Sequence, residues 1–101
     1  MNDIEEFSDW TGFQWDKGNR NKNLIKHSVE DLECEQVFLN EPLIILDDPK
    51  HSGTEKRFAA FGQTDAGRLL VLVFTKRGEL LRVISARDMN RWERKFYEEK
   101  Q

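Results

Sequence analysis

Four arginines fall within the sixteen residues from Glu79 to Arg94, close to the end of the chain. An arginine stays charged at any ordinary pH, and its planar fork can bind two oxygens of one phosphate or carboxylate group. The spacing of Arg87, Arg91 and Arg94, four and three residues apart, indicates one side of a helix. Arg82 would lie in the strand before it. This segment therefore predicts a cationic ridge beside a sheet, suited to an anionic ligand.

Two arginines outside this segment, Arg57 and Arg77, lie near predicted strand ends, as Arg87 does. These three are the first candidates to stabilise negative charge that develops on a substrate. Arg82 lies between apolar residues, so a half-buried ion pair is as reasonable for it as an anion site.

Four residues are candidates for proton transfer, namely Lys26, His27, His51 and Glu55. Histidine suits this role because its ordinary pKa lies near neutrality. The alternative for either histidine is a structural role, bonded to the backbone at a turn or helix end. Glu55 could instead pair with Arg57, since residues two apart on a strand share a face.

The sequence contains no pattern of metal ligands. Its single cysteine, Cys34, cannot form an internal disulfide, and its spacing with Val37 and Phe38 predicts a place in the core. No cysteine, histidine or carboxylate cluster has ligand spacing, so we expect no metal and no cofactor. The apolar runs are shorter than the roughly 18–20 residues that cross a membrane. The acidic N-terminus lacks the pattern of a signal peptide, and a cytoplasmic protein is expected.

Apolar periodicity predicts an α+β fold with two N-terminal helices, a four-stranded antiparallel sheet and a C-terminal helix. The helices are predicted at about 17–27 and 30–39, and the strands at about 43–47, 57–62, 69–75 and 80–85. Asp88 is the predicted N-cap of the last helix, with Met89, Trp92 and Phe96 on its buried side. Residues 1–12 are predicted to be a loose leader, and residues 13–101 a single domain.

Charge is distributed unevenly along the chain. Residues 1–50 hold 5 Lys and Arg against 12 Asp and Glu, a net charge of −7, whereas residues 51–101 hold 11 against 7, a net charge of +4. Such asymmetry suggests a basic working face on an otherwise acidic protein. An uneven but purely solvated surface is the alternative.

Six short segments, taken in order, resemble the BrnT family of bacterial toxins. They are F-Q-W-D at 13–16, N-x-x-K-H-x-V at 23–29, D-D-P-x-H-S at 47–52, E-x-R at 55–57, R-V-I-S-A-R at 82–87 and E-R-x-x-Y at 93–97. The resemblance implies a fold like that of the RelE-type ribonucleases. It also implies RNA cleavage that arrests growth, and neutralisation by a BrnA-type antitoxin, which is a DNA-binding protein.

RNA cleavage without a metal needs a base for the 2′-hydroxyl proton, cations for the charged phosphorane and a proton donor for the leaving oxygen. With the resemblance, Arg57, Arg77 and Arg87 become candidates for phosphorane stabilisation. The candidates for RNA binding are Arg82, Arg91 and Arg94. The four proton-transfer candidates gain weight without an assigned role.

Three functions remain open at this point. The first is a ribonuclease toxin that inhibits translation. The second is a catalytically inactive protein-binding module whose arginine-rich face holds an acidic partner. The third is a plain nucleic-acid-binding domain, against which the overall acidity counts.

Overall fold

The computed structural model describes residues 9–49, 53 and 55–101, which form a five-stranded mixed sheet and three helices. Most of the predicted leader, residues 1–8, lies outside the described residues. The elements in chain order are β1 (Gly12–Phe13), α1 (Lys22–His27), α2 (Asp31–Leu39), β2 (Ile44–Asp47), β3 (Phe58–Gln63), β4 (Leu69–Arg77), β5 (Leu80–Asp88) and α3 (Arg91–Glu98).

The predicted four-stranded, wholly antiparallel sheet is wrong, because β1 adds a fifth strand. β1 runs parallel to β5, with Gly12 opposite Leu80 and Phe13 opposite Leu81, and the strand order is β1-β5-β4-β3-β2. A two-residue strand shows no alternation that a sequence could reveal. It is held by packing from distant parts of the chain, since Phe13 and Trp10 both pack against the main core. The fold remains α+β.

The predicted first helix is too long, and the last helix begins later than predicted. Residues 17–21 form turns, and α1 starts only at Lys22. Strand β5 continues through Asp88, so the N-cap of α3 is Asn90 and the prediction of Asp88 is wrong. The Asn90 side chain accepts a hydrogen bond from the backbone N–H of Glu93, and the Glu93 carboxylate accepts one from the backbone N–H of Asn90. This reciprocal capping box fixes where α3 begins.

The main core lies between α2 and one side of the sheet, called here the α2 face. Leu70, Leu72 and Phe74 alternate along β4 and point to this side. Cys34 of α2 is fully buried there, which confirms its predicted packing role. Burial, with the nearby Asp31 carboxylate, raises the pKa of the Cys34 thiol to about 12. The thiol is therefore neutral and unreactive at physiological pH.

A tight turn joins β3 and β4. The backbone N–H of Gly67 donates to the carbonyl of Thr64 at 2.9 Å, and Gly67 has φ of 86°, a region that favours glycine. None of the helices within the described residues is long and apolar enough to cross a membrane.

Side chains from the α1 segment cover the edge of β5 beyond β1. The Asn19 amide donates to the carbonyl of Val83 at 3.1 Å, and the Asn23 side-chain oxygen accepts from the backbone N–H of Ala86 at 2.9 Å. Both asparagines are buried. They complete backbone hydrogen bonding that a longer β1 would otherwise provide, and they fix α1 against β5.

Helix α3 packs on the opposite side of the sheet through Tyr97. This residue is fully buried, and its hydroxyl donates to the carbonyl of Pro42 at 2.6 Å. Trp92, predicted to be buried, is instead 77 % exposed. The predicted spacing assumed a helix that already included Met89, but α3 starts two residues after it, and its rotation brings Tyr97 to the sheet.

Substitution of these two aromatic residues should therefore have very different effects on stability. We expect Tyr97→Ala to lower the free energy of unfolding by about 3–5 kcal/mol, because it empties a buried site. Trp92→Ala should change it by less than about 1 kcal/mol, since surface substitutions rarely do more. Urea unfolding followed by circular dichroism measures both values. Equal losses in the two variants would contradict the assigned burial.

Candidate functional site

Four arginines lie on the side of the sheet opposite α2, called here the arginine face. In the register of β4 and β5, Thr75 lies opposite Arg82, and Val71 lies opposite Arg87. Paired residues share a face, and Val71 belongs to the cluster under α3 rather than to the main core. The same alternation places Arg77 on this side. Arg57, one residue before the Phe58–Phe74 pair, is the fourth.

Arg77 and Arg82 converge on one side chain of the N-terminal segment. Each donates from Nη1 to the Gln14 Oε1 atom at 3.3 Å. Two guanidinium groups that share one oxygen must lie close together, and they repel each other. Arg87 lies farther away, because four residues of β4 separate its row from that of Arg82, roughly 13 Å along the strand.

The Arg77 guanidinium binds the Glu55 carboxylate through two parallel hydrogen bonds, of 2.8 and 3.1 Å. These bonds stabilise the charged form of the carboxyl, so they lower the pKa of Glu55, and they raise the pKa of Arg77 in turn. Glu55 is therefore ionised at neutral pH, with both oxygens oriented by Arg77. The sequence left Arg57 as a possible partner of Glu55, and the structure pairs Glu55 with Arg77 instead.

Arg82 is the more enclosed of the two neighbouring arginines, with a side chain that is 12 % exposed. Its Nη1 atom donates to Asp16 Oδ2 at 2.7 Å, and this contact lowers the pKa of the Asp16 carboxyl. The other Asp16 oxygen accepts from the backbone N–H of Gly18, which closes the turn before α1. Asp16 thus connects that turn to the centre of the arginine face.

The third pair, Arg87 with Glu93, joins the end of β5 to the first turn of α3. Its two hydrogen bonds measure 2.7 and 2.8 Å, and they lower the pKa of the Glu93 carboxyl. Since Glu93 also belongs to the capping box of α3, the same carboxylate holds the helix start and orients Arg87. The predicted ridge therefore does not lie on one helix. Arg87 belongs to β5, whereas Arg91 and Arg94 belong to α3.

Lys26 and His27 are exposed near the end of α1, away from Glu55. The His27 carbonyl accepts from Arg68 Nη2 at 3.4 Å. Arg68 also binds Asp88 and Glu33, and its hydrogen bonds are the main cause of the lowered pKa of Asp88. These contacts lie on the α2 side of the sheet. His51, the remaining proton-transfer candidate, lies outside the described residues.

Sequence reasoning did not identify Gln14, Asp16 and Glu93 as part of this arrangement. All three nevertheless lie inside the short segments that carry the family resemblance, and that membership was the available signal. Among the residues that the structure describes, no group of three or more histidine, cysteine, aspartate or glutamate side chains is placed to hold a metal ion.

The comparison with protein families agrees with the resemblance seen in the sequence. A family model described as "Ribonuclease toxin, BrnT, of type II toxin-antitoxin system" matches residues 15–93, more than three quarters of the chain. None of the curated proteins matches the chain significantly. The matched range includes Asp16, Glu55, Arg77, Arg82 and Arg87, from which the arginine face is built. The chain therefore belongs to the BrnT family of ribonuclease toxins from type II toxin–antitoxin systems.

Proposed function

We propose that the arginine face is the catalytic surface of a metal-independent endoribonuclease that stops growth by inhibiting translation. Membership of the family makes the protein a ribonuclease toxin and implies an antitoxin partner. We further propose that this antitoxin is a DNA-binding protein of the BrnA type. The observation that carries the assignment of the surface is the convergence of Arg77 and Arg82 on Gln14, with Glu55 held against Arg77.

The paired carboxylates support a role in phosphate binding. Arg77 and Arg87 each hold a carboxylate by the two-oxygen geometry with which an arginine also holds a phosphate. Both pairs are partly open to solvent, where the net energy of an ion pair is only roughly 0–1 kcal/mol. An RNA phosphate can therefore compete for these guanidinium groups at little cost to folding.

The proposed reaction uses the nucleophile that RNA itself provides. The 2′-oxygen attacks the neighbouring phosphorus as Glu55 takes its proton, and the bond from phosphorus to the 5′-oxygen breaks. Arg77 and Arg82 stabilise the additional negative charge of the phosphorane, a role in which one preorganised donor supplies about 3–4 kcal/mol. Water protonates the leaving 5′-oxygen, and Glu55 returns its proton to the hydroxide that remains. The products are a 2′,3′-cyclic phosphate and a 5′-hydroxyl.

Cleavage should withstand the removal of metal ions. With the nucleophile in the RNA and the charge stabilised by arginine, EDTA should leave the rate unchanged, and the new 3′ ends should carry a cyclic phosphate. End analysis of a short RNA after incubation with the purified protein measures both. Loss of cleavage on chelation, with recovery on addition of magnesium, would refute the mechanism.

The pH dependence should identify Glu55 as the base. Arg77 lowers the pKa of this carboxyl below its ordinary value of 4.5, and a base acts only when it is deprotonated. We therefore expect kcat/KM to stay level from about pH 5.5 to 8 and to fall only below about pH 4.5. Glu55→Gln should reduce kcat by about 10²–10⁴-fold. A profile that rises through about pH 6.5 would instead indicate a histidine base.

Arg87 should be needed for toxicity more than for folding. Expression of the parent protein should slow bacterial growth and protein synthesis, and Arg87→Ala should relieve this effect while the melting temperature changes little, because the pair is partly exposed. Growth curves, incorporation of labelled amino acids and thermal melting measure the three quantities. Co-expression of a neighbouring BrnA-type gene should restore growth of the parent strain.

Glu93→Gln is the matched variant, because glutamine can still accept the capping hydrogen bond from Asn90 while it no longer neutralises Arg87. It should remain toxic. If Arg87→Ala and Glu93→Gln both melt far below the parent protein, the pair is structural and the assignment of Arg87 is wrong. A folded Arg87→Ala variant with full toxicity would remove Arg87 from the site. Unimpaired growth with abundant folded parent protein would favour the inactive binding module.

A further inference from the structure

Trp92 stands on the outer surface of α3 with most of its side chain exposed. A tryptophan that is 77 % exposed leaves a large apolar surface in water, and such surfaces commonly mark binding sites. Its truncation is not expected to affect folding, for the reasons given above. Trp92 directly precedes Glu93, whose carboxylate binds Arg87.

One side of Trp92 borders an apolar groove of about 300 Å³. The groove lies between α3 and strands β2 and β3, and its other lining residues are Leu46, Phe61, Glu93 and Phe96. Leu46 is 44 % exposed, and Phe61 and Phe96 meet edge to face with ring centroids 5.5 Å apart. The groove therefore offers a largely apolar, aromatic-lined surface next to the indole.

The other side of Trp92 borders a larger, cationic groove of about 560 Å³. Its lining residues are Arg91, Trp92, Arg94, Lys95 and Glu98. Arg91, Arg94 and Lys95 are all exposed, and the single carboxylate among the lining residues does not balance them. An apolar surface and a cationic surface thus meet at one indole ring.

We propose that Trp92 is a stacking platform for one base of single-stranded RNA, with the adjoining phosphate bound by Arg91 and Arg94. A nucleotide has the matching form, since its planar base is apolar on both faces and its phosphate is anionic. Glu93 lines the apolar groove and binds Arg87, so a strand bound at Trp92 continues toward the arginine face. This inference rests on the proposed function and adds to it a binding site for a nucleotide farther along the strand from the cleaved bond.

An exposed indole beside cationic side chains favours RNA over a protein segment as the occupant. An acidic helix or strand could also neutralise Arg91 and Arg94, but it has no planar group that requires an exposed indole. A base stacked on an aromatic residue contributes roughly ten- to a hundredfold in affinity, largely independent of base identity. The occupant can therefore be recognised by its dependence on both the indole and the base.

The test measures binding of a short, single-stranded 2′-O-methyl oligoadenosine by fluorescence anisotropy. This probe lacks the 2′-hydroxyl nucleophile, so binding is measured independently of cleavage. Trp92→Ala should weaken binding by roughly ten- to a hundredfold, whereas Trp92→Phe, which keeps an aromatic face, should retain most of it. Leu39→Ala is the matched control, because Leu39 is also an exposed apolar residue but lies at the end of α2.

A second arm replaces one base of the probe at a time by an abasic nucleotide. At one position, loss of the base should weaken binding to the parent as much as Trp92→Ala weakens binding of the intact probe. Trp92→Ala should bind that abasic probe with the same affinity as the parent does, because the base and the indole act as a pair. Additive losses at every position, or equal binding of the intact probe by Trp92→Ala and the parent, would overturn the inference. So would a parent protein that does not bind the probe.

Binding of the probe at Trp92 and cleavage of RNA can fail independently of each other. A parent that binds the probe through Trp92 but cuts no RNA would refute the proposed catalysis and leave this site standing. A Trp92→Ala variant that binds the probe normally and escapes neutralisation by the antitoxin would show that the groove receives the antitoxin, and the inference would be wrong.

Discussion

The repulsion between Arg77 and Arg82 is the constraint on which the rest of the site depends. Their guanidinium groups share a single oxygen of Gln14, and such closeness is unfavourable unless negative charge is supplied nearby. Glu55 and Asp16 supply it from two other parts of the chain. The segment before β3 and the turn before α1 are thereby drawn to the same face of the sheet. Folding and the assembly of the cationic surface are therefore coupled.

The position of α3 also depends on a carboxylate that binds an arginine. Its first turn is held by the Asn90–Glu93 capping box, and Glu93 at the same time binds Arg87 at the end of β5. One carboxylate therefore sets both where the helix begins and how the arginine is oriented. This start also fixes the helix rotation, with Tyr97 toward the sheet and Trp92 toward solvent.

Much of the fold could be predicted from local patterns. The strands β2 to β5, helix α2 and the turn at Gly67 each leave a clear signal in apolar periodicity or glycine placement. The two-residue strand β1 leaves only the short apolar segment at 13–15, and the start of α3 leaves two candidate caps, Asp88 and the capping-box pair Asn90 and Glu93. The first depends on a partner almost seventy residues away, and the second on competition between Asp88 and Asn90 for the cap position, which the length of β5 decides.

The candidate site also could be predicted only in part. The arginines could be recognised from residue type alone, because an arginine-rich segment beside a strand suits an anion whatever its exact geometry. Their partners could not, since nothing local links Asp16 to Arg82 or Glu55 to Arg77, which lie 66 and 22 residues apart. Which carboxylate meets which arginine is decided by strand order and by the β1 segment that sequence periodicity misses.

The two edges of the sheet differ in a way that bears on assembly. On one side, β1 and the buried asparagines Asn19 and Asn23 occupy the backbone groups of β5. On the other, β2 is the last strand in the sheet order of the described residues, where it pairs with β3. Within the described residues, the four-residue edge of β2 is therefore longer than the two-residue edge of β1 as a template for a ladder of backbone hydrogen bonds with another polypeptide.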